Sequence, residues 1–254
     1  MSADRSETVY GIHAVAHVLR AAPARVTAML ALQDRPEGRV AALVEQARAA
    51  GISVNLVAAD VLDRQCHGVH QGIAVRLRPA EPWDEKRLLR HLDGVDQPLL
   101  LVLDGVKDPH NLGACLRVAD GAGADAVIVP RDRAVGLTST VRKVACGAAE
   151  TTPLVRVRNL ARAMRSLKEA GIWCVGTDAD AETGYAEADL GGRIALVMGG
   201  EESGLRRLTR EHCDLLVRLP MRGLVESLNV SVATGVMLYE VVRQRRGGGW
   251  QGRS

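Results

Sequence analysis

The chain has 254 residues, 47% hydrophobic and 25% charged, with a formal net charge of +3. That balance suits one large or two modest cores and excludes a charge-rich disordered chain, and the net charge leans mildly toward polyanionic partners. No apolar run approaches the ~18–20 residues a membrane span needs, and the start, with Asp4 and Glu7 before any apolar stretch, lacks a signal-peptide core, so a cytoplasmic location is expected.

Strands and helices alternate along most of the length, which predicts an α/β fold. The first part reads as helix 11–21, strand 26–32, helix 37–50, strand 53–56, short helix 59–64 and strand 73–77. Residues 78 to 98 hold three prolines and many charges, the composition of a linker with room for one short helix. The run LLLVLDG (99–105) is apolar at successive positions and reads as a strand buried on both faces. A helix follows, with Asp108 as its cap, Pro109 in its first turn and Gly121 at its end. Strand 126–129, helices 137–146 and 160–170, and strands 172–176, 194–198 and 215–219 continue the alternation. The closing helix is expected to start near Ser227, its cap, and to run to Arg245, with Val230, Thr234, Met237, Leu238 and Val241 on one stripe. The sequence thus divides into a domain over 1–78, a linker over 79–98, a larger domain over 99–246 and a frayed tail over 247–254.

The five cysteines are scattered and form no C-x-x-C pair, so neither a disulfide framework nor a zinc site is expected. Cys66, His67 and His70 are the only local cluster of ligand-type side chains, and no second pair completes it. Of the 33 basic residues only four are lysine; arginine forks suit phosphate, although GC-rich coding produces the same excess. With no phenylalanine, three tyrosines and three tryptophans, the chain can hardly build a surface that stacks bases on aromatics. RNA binding would have to rest on shape, phosphate and polar contacts.

Three segments carry the chemistry. In residues 103–130 the helix brings His110, Gly113, Ala114 and Arg117 to one face, with Asn111 in the first turn where amides donate freely. Space for a ligand and simple capping both account for this spacing. Gly121, Gly123 and Ala126 come close to a dinucleotide fingerprint, but they close a helix and enter a strand, the reverse of its required context. A nicotinamide-binding Rossmann site is therefore excluded. In residues 195–205 a buried strand runs into Gly199, Gly200, Glu201 and Glu202, either a ligand-binding turn at a strand's carboxyl end or a glycine turn with two solvated acids. In residues 219–242, Ser227, Asn229 and Ser231 crowd one helix start, where polar groups cap or hold a ligand.

Taken together, DPHNLGACLRVADGAGADAVI, the strand with MGGE, and LPM followed by ESLNVSVATGVMLYE resemble in order and spacing the three signature motifs of the SpoU (TrmH-type) family of RNA 2′-O-methyltransferases, within the SPOUT superfamily. The resemblance covers residues 99 to 245. The stretches VRKVACGAAETTPLVRVRNLARAM and LRRLTREHCD, with the N-terminal YGIHAVAHVL and HQGIAV, look closest to the branch that methylates a guanosine ribose in the peptidyl-transferase region of 23S rRNA.

The resemblance implies a trefoil-knotted α/β methyltransferase domain, preceded by a small α/β, ribosomal-protein-like domain that binds the RNA substrate. It implies a homodimer formed through the catalytic domain, with RNA as partner and neither membrane nor DNA. S-adenosylmethionine is the implied cofactor, held through Gly199, Leu219 and Leu228. The implied catalytic positions are Asn111, Arg117, Glu201, Ser227 and Asn229, and no metal is implied. The reaction is direct displacement by a ribose 2′-hydroxyl. An arginine side chain is a poor base, so Arg117 reads better as a phosphate clamp that also stabilises the forming alkoxide, with Glu201 to hold it and Ser227 and Asn229 to order the loop. A tRNA or antibiotic self-protective rRNA methyltransferase would share these motifs. A ribosome-assembly protein that had lost catalysis would be expected to lack Arg117 or Asn229, and both are present.

Overall fold

The computed structural model describes residues 7–33, 38–66, 68–78, 83–132, 134–200 and 204–247. The chain forms two compact units, one of residues 1–81 with 146–151, the other of residues 82–145 with 152–254.

The smaller unit is built on four strands, β1 (Glu7–Tyr10), β2 (Val26–Leu32), β3 (Val54–Val57) and β4 (Ile73–Leu77), in the order β1-β4-β2-β3. β4 is antiparallel to both its neighbours, and β2 and β3 run parallel. Helices α1 (Ile12–Ala21), α2 (Gly38–Ala49) and α3 (Ala59–Gln65) cover it. Successive strand residues face opposite sides, which sorts β2 cleanly. Met29 and Ala31 join Val15, Val18, Val44 and Ala47 of α1 and α2, whereas Leu30 joins Leu62 of α3. Residues 146–151 complete this unit. There Arg25 bridges Glu7 at 3.2 Å and the buried carboxylate of Glu150 at 3.0 Å.

The larger unit contains α4 (Glu85–Leu92), β5 (Leu99–Asp104), α5 (Pro109–Ala122), β6 (Ala126–Pro130), α6 (Ser139–Ala145), β7 (Leu154–Val157), α7 (Leu160–Glu169), β8 (Trp173–Thr177), β9 (Thr183–Gly184), β10 (Ile194–Gly199), α8 (Arg207–Glu211), β11 (Leu215–Arg218) and α9 (Val230–Arg245). Its strands pair in parallel in the order β7-β6-β5-β10-β8-β11-β9. All six residues of β5 are buried, as a central parallel strand covered on both faces requires. Leu100 and Val102 face a core closed by Leu88 and Leu92 of α4 and by Leu160, Met164 and Leu167 of α7. Leu99, Leu101 and Leu103 point to the opposite face. On that side of the unit α9 lies against α5 and β10.

Several boundaries differ from the sequence-based expectation. Helix α5 ends at Gly123, not Gly121: Gly123 adopts a left-handed conformation at φ 75° and closes the helix. Helix α9 is capped by Asn229, whose Oδ1 accepts from the Ser231 amide; Ser227 lies in the loop before it. Strand β7 was not anticipated, because LVRV lies between helices, yet Val155 and Val157 are buried and Arg156 exposed in a period of two. The short helix for which the linker left room is α4, eight of its twenty residues, and it packs into the larger unit's core. Glu37, His67 and residues 248–254 of the expected tail lie outside the described residues.

Candidate active site

In an open parallel sheet, ligands gather at the carboxyl edge of the strands, and the sequence motifs converge there. Asp104 ends β5 and is the Cα partner of Gly199 at the end of β10. Strand β8 separates β10 from β11, so Leu219, just past β11, lies about 10 Å along the same edge.

The first and third motifs meet through two asparagines. Asp108 caps α5 by accepting from the His110 amide at 3.0 Å, which sets Asn111 in the first turn. Asn229 donates from Nδ2 to Asn111 Oδ1 at 3.1 Å while its own Oδ1 accepts from the Ser231 amide and hydroxyl at 2.9 and 2.7 Å. Those acceptor contacts orient the amide, leaving its NH2 group for Asn111. One side chain therefore caps α9 and ties it to the start of α5.

Arg117 is exposed on α5, six residues beyond Asn111 and so about 9 Å further along the helix and about 120° around it. The small residue on this face serves packing and leaves no ligand space: a Cβ at Gly113 would come within 2.7 Å of Val144 Cβ and 2.9 Å of the Val141 carbonyl. Helix α6 occupies the room that the sequence reading left open for a ligand.

The loop after β10 folds back on itself. Gly200 and Gly204 exchange backbone hydrogen bonds of 3.2 and 3.1 Å, and a Cβ on Gly199 would stand 2.3 Å from the Gly204 carbonyl carbon. Gly199 is thus required by the loop itself. Glu201, expected to be catalytic, lies outside the described residues, between these anchors. The loop's far end is pinned by an ion pair that sequence reading missed. The fully buried carboxylate of Asp104 accepts from the Arg206 amide at 2.9 Å and from its guanidinium at 2.6 and 2.5 Å. An aspartate that closes an otherwise apolar strand was the available signal.

Residues 220–228 form no backbone–backbone hydrogen bond among the described residues, and they expose Leu224, Val225 and Leu228. Leu219 is half-buried at the loop's entrance, and Ser227 is exposed within it. Open amides beside apolar side chains can receive a ligand with both a flat apolar part and polar edges.

Residues 98–239 match the model of the SpoU rRNA Methylase family, and residues 8–83 match that of RNA 2′-O ribose methyltransferase substrate binding. The chain belongs to the SpoU rRNA methylase family. It is 54% identical to the 23S rRNA (guanosine-2′-O-)-methyltransferase RlmB of Coxiella burnetii, over 94% of this chain and 96% of that one. It is 52% identical to the RlmB of Escherichia coli strain K12, over 94% and 99%. In fold it is similar to the SpoU methyltransferase AviRb from Streptomyces viridochromogenes in complex with the cofactor AdoMet, with a TM-score of 0.77, 24% identity, and 96% and 92% of the chains covered. The motif segments at the carboxyl edge all fall within the family match, from Asp104 through Asn229.

Proposed function

We propose that this protein transfers a methyl group from S-adenosylmethionine to the ribose 2′-hydroxyl of a guanosine in 23S rRNA. The observation that carries the reading is the Asn111–Asn229 junction, set beside the bare loop 220–228 at the carboxyl edge of a SpoU-family sheet. The substrate follows the relatives named above, which share more than half their residues with this chain over nearly its full length.

The loops fit such a cofactor: amides without backbone partners among the described residues, and the exposed Leu228, suit a purine with polar edges. Gly199, Leu219 and Leu228 are the residues that would hold it. When bound, S-adenosylmethionine supplies a methyl group already activated on a sulfonium sulfur. What is left for the protein is alignment and relief of the charge that develops on the ribose 2′-oxygen as its proton leaves. Asn229 and Asn111 fix the loop that places the two reactants, and Ser227 lies within that loop. Arg117 carries a forked cation suited to a phosphate next to the target ribose, with Glu201 assigned to orient it.

Residues 1–78 are read as the RNA-binding domain and 99–246 as the methyltransferase domain, threaded as a trefoil knot. The return of α9 to α5 and β10, after the chain has passed through β9 and β11 at the far side of the sheet, supports that threading. Val232, Val236 and Tyr239 expose an apolar stripe on α9, which supports a homodimer through this helix. Among the described residues no helix is long and apolar enough to cross a membrane, and a cytoplasmic site of action follows from an rRNA substrate.

The test is transfer of labelled methyl from S-adenosylmethionine to protein-free 23S rRNA, with bulk tRNA beside it. Label in 23S rRNA supports the proposal. Label in tRNA alone keeps the chemistry and overturns the substrate, and binding of both ligands without transfer makes the chain a silent binder.

A further inference from the structure

A second basic surface lies on the larger unit, at the β6–β7 end of the carboxyl edge, and includes none of the residues assigned to methyl transfer. Pro130 at the end of β6, Asp132 just after it, residues 158–161 at the start of α7, and residues 206–209 line a cleft of about 580 Å³. Two of its arginines are already engaged: Arg206 with Asp104 and Arg207 with Glu211. Arg158 has no ion-pair or hydrogen-bond partner among the described residues. Asn159 caps α7 by accepting from the Arg162 amide at 3.0 Å, and Leu160 and Ala161, which also line the cleft, belong to the first turn, whose amides have no intrahelical acceptors.

Arg162 and Arg165, three apart on α7, share one exposed face of the helix, and Arg158, exposed just before the Asn159 cap, lines the cleft at its head. Neither Arg162 nor Arg165 makes an ion pair with an acid among the described residues. The opposite face carries Leu160, Ala163, Met164 and Leu167 into the core. The acids on these elements are Glu211, taken by Arg207, Asp132, which lines the cleft, and Glu169, one turn past Arg165. A row of unpaired arginines leading into a cleft with open amides is complementary to a chain of phosphates.

We propose that Arg158, Arg162 and Arg165, with the cleft at the head of α7, form a track for the sugar–phosphate backbone of the RNA substrate, outside the reaction site. The inference rests on RNA being the substrate. The track positions the RNA and reads no sequence.

The test is binding of protein-free 23S rRNA to the full-length protein across a salt series. The variants are a triple Arg158→Gln, Arg162→Gln, Arg165→Gln and the matching triple lysine variant. If each arginine meets one phosphate, the slope of log K against log salt flattens by about 2–3, and affinity near 0.1 M salt falls at least ~10-fold in the glutamine variant. The lysine variant retains the wild-type slope. S-adenosylmethionine affinity and Tm stay at wild-type values in both. Unchanged salt slope in the glutamine variant overturns the track, and so does weaker binding without a change of slope. Methyl transfer by the wild-type protein, measured alongside, reports on the methyltransferase reading separately, so the two can fail independently.

Discussion

Asn229 does two jobs with one amide, and its substitutions separate them. Aspartate retains the cap, since a carboxylate accepts from Ser231 as well as an amide does, but it cannot donate to Asn111 and sets an anion against that carbonyl oxygen. Asn229→Asp is therefore expected to fold with a near-normal Tm while methyl transfer drops about 100-fold, the scale of a misplaced reactive geometry. Asn229→Ala loses the cap as well and should cost about 1 kcal/mol of stability, which urea denaturation would measure. Arg117→Lys tests the fork: loss of most activity is expected, with S-adenosylmethionine affinity retained. Near-full activity at neutral pH would show that a point charge suffices. The Asp104–Arg206 pair is asymmetric in the same useful way. Arg206→Ala strands a fully buried carboxylate and should cost about 3–5 kcal/mol, more than Asp104→Asn, because Arg206 is part-exposed and can turn to water.

At the level of elements, helix packing decides what small residues mean. Gly113→Ala gains about 1 kcal/mol in helix propensity. Its Cβ would press on Val144 and a backbone carbonyl of α6, and overpacking of that kind costs about 1–3 kcal/mol. A net loss of stability by chemical denaturation is expected, and a gain would mean that α6 can shift away from α5. The central strands β5 and β10 were legible in the sequence because LLLVLD and IALVM are apolar at successive positions, the mark of strands covered on both faces, whereas the short edge strands β1 and β9 carry no such run. Strand β7 was not, since its two buried valines alternate with arginine between two helical patterns. The α9 cap was misassigned to Ser227 because serine and asparagine both cap well; only the tertiary contact to Asn111 selects between them. The Asp104–Arg206 pair spans more than a hundred positions, and no local pattern encodes a contact of that range. Motif order, by contrast, marked the carboxyl edge correctly, because each motif follows a strand end or opens a helix.

Across the whole molecule, burial governs the response to alkali. Burial and the neighbouring Asp214 carboxylate push the Cys174 and Cys213 thiols up to about 12, and burial with Asp63 pushes Cys66 to about 11. A folded-state value raised above the usual 9 favours the neutral thiol, so the stabilisation is complete below pH 9 and is lost as pH rises toward 12. The protein should therefore lose stability through that alkaline window. At pH 8 these three thiols should resist alkylation until the chain is denatured, as mass spectrometry would show. The two-unit organisation also assigns tasks by chemistry: the parallel sheet offers a carboxyl edge with open loops, while the smaller unit, with its mixed sheet, matches the substrate-binding family. The most direct test of the account is to locate the methyl group. Wild-type protein, S-adenosylmethionine and protein-free 23S rRNA should yield a single guanosine ribose linkage resistant to alkaline cleavage, absent when Arg117→Ala replaces the wild type. Methyl label on a base, leaving every linkage alkali-sensitive, would contradict it.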